Sequence, residues 1–187
     1  MSNDDRTAEM HLLEWASQFE NAVLPKWDDL PNLPLYMDQV LLLLEQYLTP
    51  SQDDERTITA SIVNNYVRMK IMPAPVKKKY TRIHLAYLIV ICTLKQSLSI
   101  SCIQKMLPTN IAEDQVKLLY NDFADRYHEI AVCFAEQIRS NSPPMFHPSD
   151  TTDHIGIMAI GTALMANLAQ TLTEWIILSQ TPLNNGE

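Results

Sequence analysis

Glycine is nearly missing from this chain: 187 residues contain 3, and two of them, Gly156 and Gly161, lie in an apolar run. An all-β fold needs glycine-bearing turns at short intervals, so that class is disfavoured at the outset. Cysteine is scarce too. Cys92, Cys102 and Cys133 form neither an even set nor a C-x-x-C pair, and each sits in an apolar stretch. They read as buried thiols acting as small hydrophobes in a reducing compartment, not as a disulfide framework or a structural zinc site. No basic segment followed by an apolar core opens the chain. The longest nearly uncharged stretch, 155–173, is interrupted by Asn167, Gln170 and threonines. It falls short of the unbroken run of about 18 apolar residues that a membrane span needs. A cytoplasmic protein with no membrane span is expected.

Catalytic signatures are absent as well. There is no G-x-S-x-G, no P-loop, no dinucleotide fingerprint and no paired carboxylate spacing. No enzyme activity, cofactor or metal is expected. His147, Asp150, Asp153 and His154 are of metal-ligating type. They straddle a proline-rich linker and a helix start, where Asp is favoured anyway.

The most informative absence is local. From residue 57 to 112 there is no Asp or Glu, while Arg68, Lys70, Lys77, Lys78, Lys79, Arg82, Lys95 and Lys105 give +8. The rest of the chain holds 14 − 8 = 6 bases against all 22 acids, which is −16 within a total of −8. Such segregation points to a partner for the basic part. The alternative is a basic face docking on an acidic face of the same chain or of a sister subunit, an arrangement that contributes little energy at a surface.

What is present is helical periodicity. Leu12, Leu13, Trp15, Ala16, Phe19 and Val23 recur at helical spacing over 8–22. A proline connector (24–35) follows, with Trp27, Leu30 and Leu33 expected to pack inward. Helices are then predicted over 36–48, 60–69 with Thr59 as cap, 82–94 with Thr81 as cap, 100–107 with Ser99 as cap, and 110–140. The eight-residue apolar run Leu85–Cys92 makes 82–94 a central helix buried nearly all round. Val116, Tyr120, Phe123, Tyr127, Ile130 and Phe134 form a heptad-like stripe on the long helix. A linker (140–149) and a last helix over about 150–178 complete an all-α chain. Its expected division is 1–109, a helical domain with a helix-turn-helix-like unit and a minimal wing, and 110–187, the long and C-terminal helices for packing or dimerisation.

DNA contact through such a unit needs a short polar-faced helix for base edges, a basic loop for phosphates and a buried scaffold behind them. Ser61, Asn64, Asn65 and Arg68 supply the first, and Thr59 and Lys70, at either end of that helix, complete the expected nucleic-acid-binding set. Asn can pair with adenine and Arg with guanine. Lys77, Lys78 and Lys79 supply the second, and Arg82 adds a phosphate contact at a helix N-terminus. Tyr80 could pack beneath the loop or touch the backbone. Each has a plainer reading: a solvated lysine triplet, asparagines that merely solvate a short helix, a core Tyr66. His84, near the start of a buried helix, reads as a hydrogen-bonded structural histidine.

The stretch TASIVNNYVRMKIMPAPVKKKYTRIHLAYLIVICTLKQSLSISCIQKML resembles the winged helix-turn-helix of the mercury-resistance-regulator (MerR) type. The matching positions are Tyr66, then Ile71, Met72 and Pro73, then Lys77–Lys79, Tyr80 and Thr81, Leu85 and Leu88, and finally Leu98, Ser99, Ile103 and Leu107. The longer run from LPLYMDQVL (33–41) through VNNYV (63–67) to PVKKKYTRIHLAYL (75–88) resembles domain-of-unknown-function family 1836, over roughly half the chain. These resemblances imply a transcriptional regulator. Two departures stand out: Lys70 replaces the glycine of the regulator pattern, and 73–79 is short and glycine-free. Paired effector-binding cysteines are absent. The expected function is a DNA-binding transcriptional regulator acting as a homodimer through its C-terminal helices. The alternative is a helical adaptor that docks an acidic protein without binding nucleic acid.

Overall fold

The computed structural model describes residues 23–48 and 58–139, with Ser17, Asn21, Met165, Ala166, Ala169, Gln170 and Thr173. The expected helices at 8–22 and 150–178, and the His147–His154 cluster, lie outside the described residues apart from those isolated positions. Among the described residues the fold is all-α. A 3-10 turn (Trp27–Asp29) precedes α1 (Met37–Tyr47), α2 (Ala60–Arg68), α3 (Arg82–Leu94), α4 (Ile100–Met106) and α5 (Glu113–Arg139). Extended pairing among the described residues is confined to two antiparallel bridges, Leu35 with Tyr80 and Val76 with Lys79. No described helix is long and apolar enough to cross a membrane.

The chain divides into two compact units, and one of them holds Leu24–Asp125. Its centre is α3, in which His84 through Ile91 are all buried. An eight-residue apolar run has no polar face to give to solvent, so neighbours must cover it on all sides. Helix α1 packs on both α2 and α3, presenting Val40 and Leu44, one turn apart and fully buried. Spacing of four keeps two side chains on one face of a helix.

The caps follow the sequence closely. The Thr59 hydroxyl accepts from Ile62 N–H and the Ser99 hydroxyl from Cys102 N–H. Each satisfies one of the donors that a helix start leaves orphaned. Helix α5 begins at Glu113, so Asn110 stands outside it; Ala112 offers the first carbonyl, to Gln115 and Val116.

The proline connector is tied to the start of α5. Trp27 and Leu30 are buried as expected, but Leu33 is 75 % exposed. Trp27 N–H donates to Asn121 Oδ1 (2.9 Å), Tyr120 OH donates to the Pro25 carbonyl (2.7 Å), and the Trp27 and Tyr120 rings meet edge to face at 6.5 Å. Lys26 adds an ion pair with Asp125.

On α5 the buried residues in this unit are Val116, Tyr120 and Ala124. They advance strictly by fours, the ridge of a straight helix, rather than by the alternating fours and threes of a coiled-coil seam. Phe123 is therefore only half-buried. In the other unit Ala131 and Ala135 are buried while Ile130 is 69 % exposed. Of the heptad stripe expected from the sequence, Val116 and Tyr120 are buried, whereas the later buried positions are Ala124, Ala131 and Ala135.

Candidate nucleic-acid interface

Helix α2 has two faces because its apolar residues fall on one side of the 3.6-residue turn. Val63 and Tyr66 are buried; Ser61, Asn64 and Arg68 are exposed, and Asn65 is half-buried beside them. Spacings of three and four place Ser61, Asn64, Asn65 and Arg68 on one stripe. Arg68 donates from Nη2 to Asn65 Oδ1 at 2.7 Å, and Asn65 Nδ2 lies 3.5 Å from Met69 Sδ.

The helix ends in a Schellman motif. Ile71 N–H bonds back to the Tyr66 carbonyl (3.1 Å) and Lys70 N–H to the Val67 carbonyl (3.0 Å). That closure needs a left-handed residue, and Lys70 supplies it at φ 56°. The departure from the regulator pattern thus falls where the backbone asks for glycine. Ile71 and Met72, next in the chain, are buried. Gln104 Nε2 on α4 donates to the Met69 carbonyl (2.8 Å), which fixes the turn to the scaffold.

A two-residue hairpin follows. Val76 and Lys79 pair across it, with Lys79 N–H on the Val76 carbonyl at 3.0 Å. Lys77 and Lys78 form the tip with φ 51° and 61°. Two consecutive positive φ angles mark a type I′ turn, whose twist matches that of the strands it joins and which usually takes Asn-Gly. Tyr80 then exchanges two backbone hydrogen bonds with Leu35, each 2.8 Å. Residues paired across strands share a face. Tyr80 is 3 % exposed, while Lys79 and Val76 point outward, and Lys79 Nζ lies 5.6 Å from the Tyr36 ring centre. The expected extended piece is therefore a minimal hairpin leaning on residue 35.

A model of the family described as Domain of unknown function (DUF1836) matches residues 25–124. The chain belongs to that family. The DUF1836 match runs from the 3-10 turn into α5 and coincides with the compact unit Leu24–Asp125. No curated protein and no solved structure matches the chain.

Within the DUF1836 unit the expected site residues separate into two groups. Thr59, Ser61, Asn64, Arg68, Lys70, Lys77, Lys78 and Lys79 are exposed along α2, its terminal turn and the hairpin, with Asn65 half-buried among them. Among the described residues, no carboxylate pairs with Arg68, Lys70, Lys77, Lys78 or Lys79. Tyr80 and Arg82 face the scaffold instead. Of the two placements open to Tyr80, packing beneath the loop is the one adopted, and burial raises its phenol pKa. Arg82 forks Nε and Nη2 onto the Leu30 carbonyl (3.0 and 2.8 Å), stacks 5.7 Å from the Trp27 ring centre and lies 3.9 Å from Asp28. A guanidinium so engaged ties the proline connector to α3 and is poorly placed for a phosphate, contrary to the role expected of it.

Two contributors escape a sequence reading. Gln104 braces the end of α2 from 35 residues away, and Tyr36 flanks Lys79 across the bridge. Both depend on tertiary proximity, which no local spacing encodes. Of the three cysteines expected to be buried, Cys102 is buried, Cys92 half-buried and Cys133, on the long helix, exposed; burial pushes the Cys92 thiol up to about 12, so it stays protonated.

Proposed function

We propose that this protein is a DNA-binding transcriptional regulator that contacts duplex phosphates through Lys70, Lys77 and Lys78 and presents the exposed face of α2 to base edges. One observation carries the reading. The three non-glycine residues with positive φ among the described residues are all lysines of the acid-free segment. Left-handed backbone costs a residue with a Cβ about 1 kcal/mol or more, and glycine would adopt it freely. Local strain kept at an exposed, charged position points to a use for the charge. Lys26, Arg82 and Lys117 of the same unit engage carboxylates, whereas Lys70, Lys77 and Lys78, like Lys95 and Lys105, have none among the described residues, so their charge is left for a partner. Action as a homodimer through the C-terminal helices belongs to the same proposal, and analytical ultracentrifugation tests it.

Titration of a labelled duplex at several salt concentrations tests the DNA reading. The logarithm of the binding constant should fall linearly with the logarithm of salt, and Lys78→Ala should reduce that slope by about one unit. Absence of binding to genomic fragments at low salt contradicts it. A second reading, docking of an acidic protein, is favoured by Val76, which adjoins Lys77 in the chain and is 71 % exposed. Competition separates the two: a protein partner that neither heparin nor DNA displaces favours the adaptor.

A further inference from the structure

The polar stripe of α2 is not a row of equivalent side chains. Asn64 is exposed, whereas Asn65 has both ends of its amide engaged. Its oxygen accepts from Arg68 Nη2 at 2.7 Å and its nitrogen approaches Met69 Sδ at 3.5 Å. That pairing accounts for which way the amide faces. Met69 is held in turn, because its carbonyl accepts from Gln104 of α4. A continuous support therefore runs from α4 through the end of α2 to the guanidinium of Arg68. An arginine on a helix surface otherwise samples many rotamers, and fixing one removes an ordering cost from binding.

We propose that Asn65 is a positioning residue that presents Arg68 to guanine in the major groove of a duplex. The inference rests on the duplex-binding reading above and adds the base. Guanine offers two acceptors, O6 and N7, side by side, and a guanidinium can meet both at once. Arg68 uses one of its five N–H groups on Asn65, so one two-pronged edge stays free whichever Nη2 hydrogen is engaged. Asn65 itself is then withdrawn from reading adenine, because both ends of its amide are occupied. Asn64, one residue earlier, keeps that capacity.

The test is a selection from random-sequence duplexes with the full chain, comparing wild type with Arg68→Lys, Asn65→Ala and Asn65→Asp. Wild type should enrich guanine at one fixed position by about tenfold. Arg68→Lys, which keeps the charge but loses the planar fork, should abolish that preference. Asn65→Ala should weaken it severalfold while the salt slope stays unchanged, since every phosphate partner is retained. Asn65→Asp, which still offers an oxygen to Arg68, should retain the preference even if overall affinity falls. A merely structural Asn65 would change melting temperature and leave base preference alone. Binding by wild type without a guanine preference, or an undiminished preference in Asn65→Ala, overturns this inference and leaves the duplex-binding reading standing. Failure of wild type to bind any duplex at low salt overturns both.

Discussion

Lys70, Lys77 and Lys78 hold backbone angles at which a Cβ crowds the neighbouring carbonyl. Lys70→Gly should therefore raise the unfolding free energy by about 1 kcal/mol, and Lys70→Ala should not, although both remove the same charge. Paired thermal melts check this. His84 supplies the pH dependence. It is 5 % exposed, and its Nδ1 accepts from Thr81 N–H at 2.9 Å. The proton then belongs on Nε2, which is buried without a well-formed partner. Burial lowers the His84 pKa, and backbone contacts with Ala74 and Thr81 oppose the shift without reversing it. The folded chain thus favours the neutral ring, and below about pH 6.5 the unfolded chain binds more protons. His84 contributes stability that is fully present above that pH and is lost as pH falls through the folded pKa. Melting temperature measured from pH 7.5 to 5 should decline, and His84→Gln should flatten that part of the decline.

At the scale of elements, caps and periodicity made much of the fold legible. Thr59, Thr81 and Ser99 stand directly before α2, α3 and α4, because a short hydroxyl side chain before an apolar-periodic run has few other uses. Thr59→Ala and Ser99→Ala should each lower stability by about 1 kcal/mol in denaturant melts. The buried α3 was legible from its unbroken apolar run. Two features were not. The inward row of α5 uses Ala124 where the sequence offers the larger Phe123, because a small residue lets a neighbour approach and hydrophobic spacing alone ranks the larger one first. The hairpin was hidden because Lys77-Lys78 occupies a turn whose usual signature is Asn-Gly. The candidate site was half visible: charge and polar spacing located α2 and the lysines. They could not show that Arg82 is committed to the Leu30 carbonyl. Arg82→Lys, which cannot reproduce that fork or the stacking on Trp27, should lower the melting temperature of the chain and, on the proposed duplex-binding reading, leave the salt slope unchanged.

For the whole molecule, the net charge of −8 conceals a basic segment of +8. The matched family unit contains that segment, so the proposed interface and the family coincide in one compact body. On the proposed reading, Lys70, Lys77 and Lys78 keep strained backbone because an anion uses their charge. The most direct measurement is the salt dependence of duplex binding for wild type and for a Lys70→Gly, Lys77→Gly, Lys78→Gly triple variant, alongside its melting temperature. The triple variant should melt higher, and its log–log salt slope should be smaller by about 2.7 units, or about 0.9 for each phosphate no longer neutralised. An unchanged slope in a stabilised variant would contradict the claim, because strain would then have been relieved with binding intact.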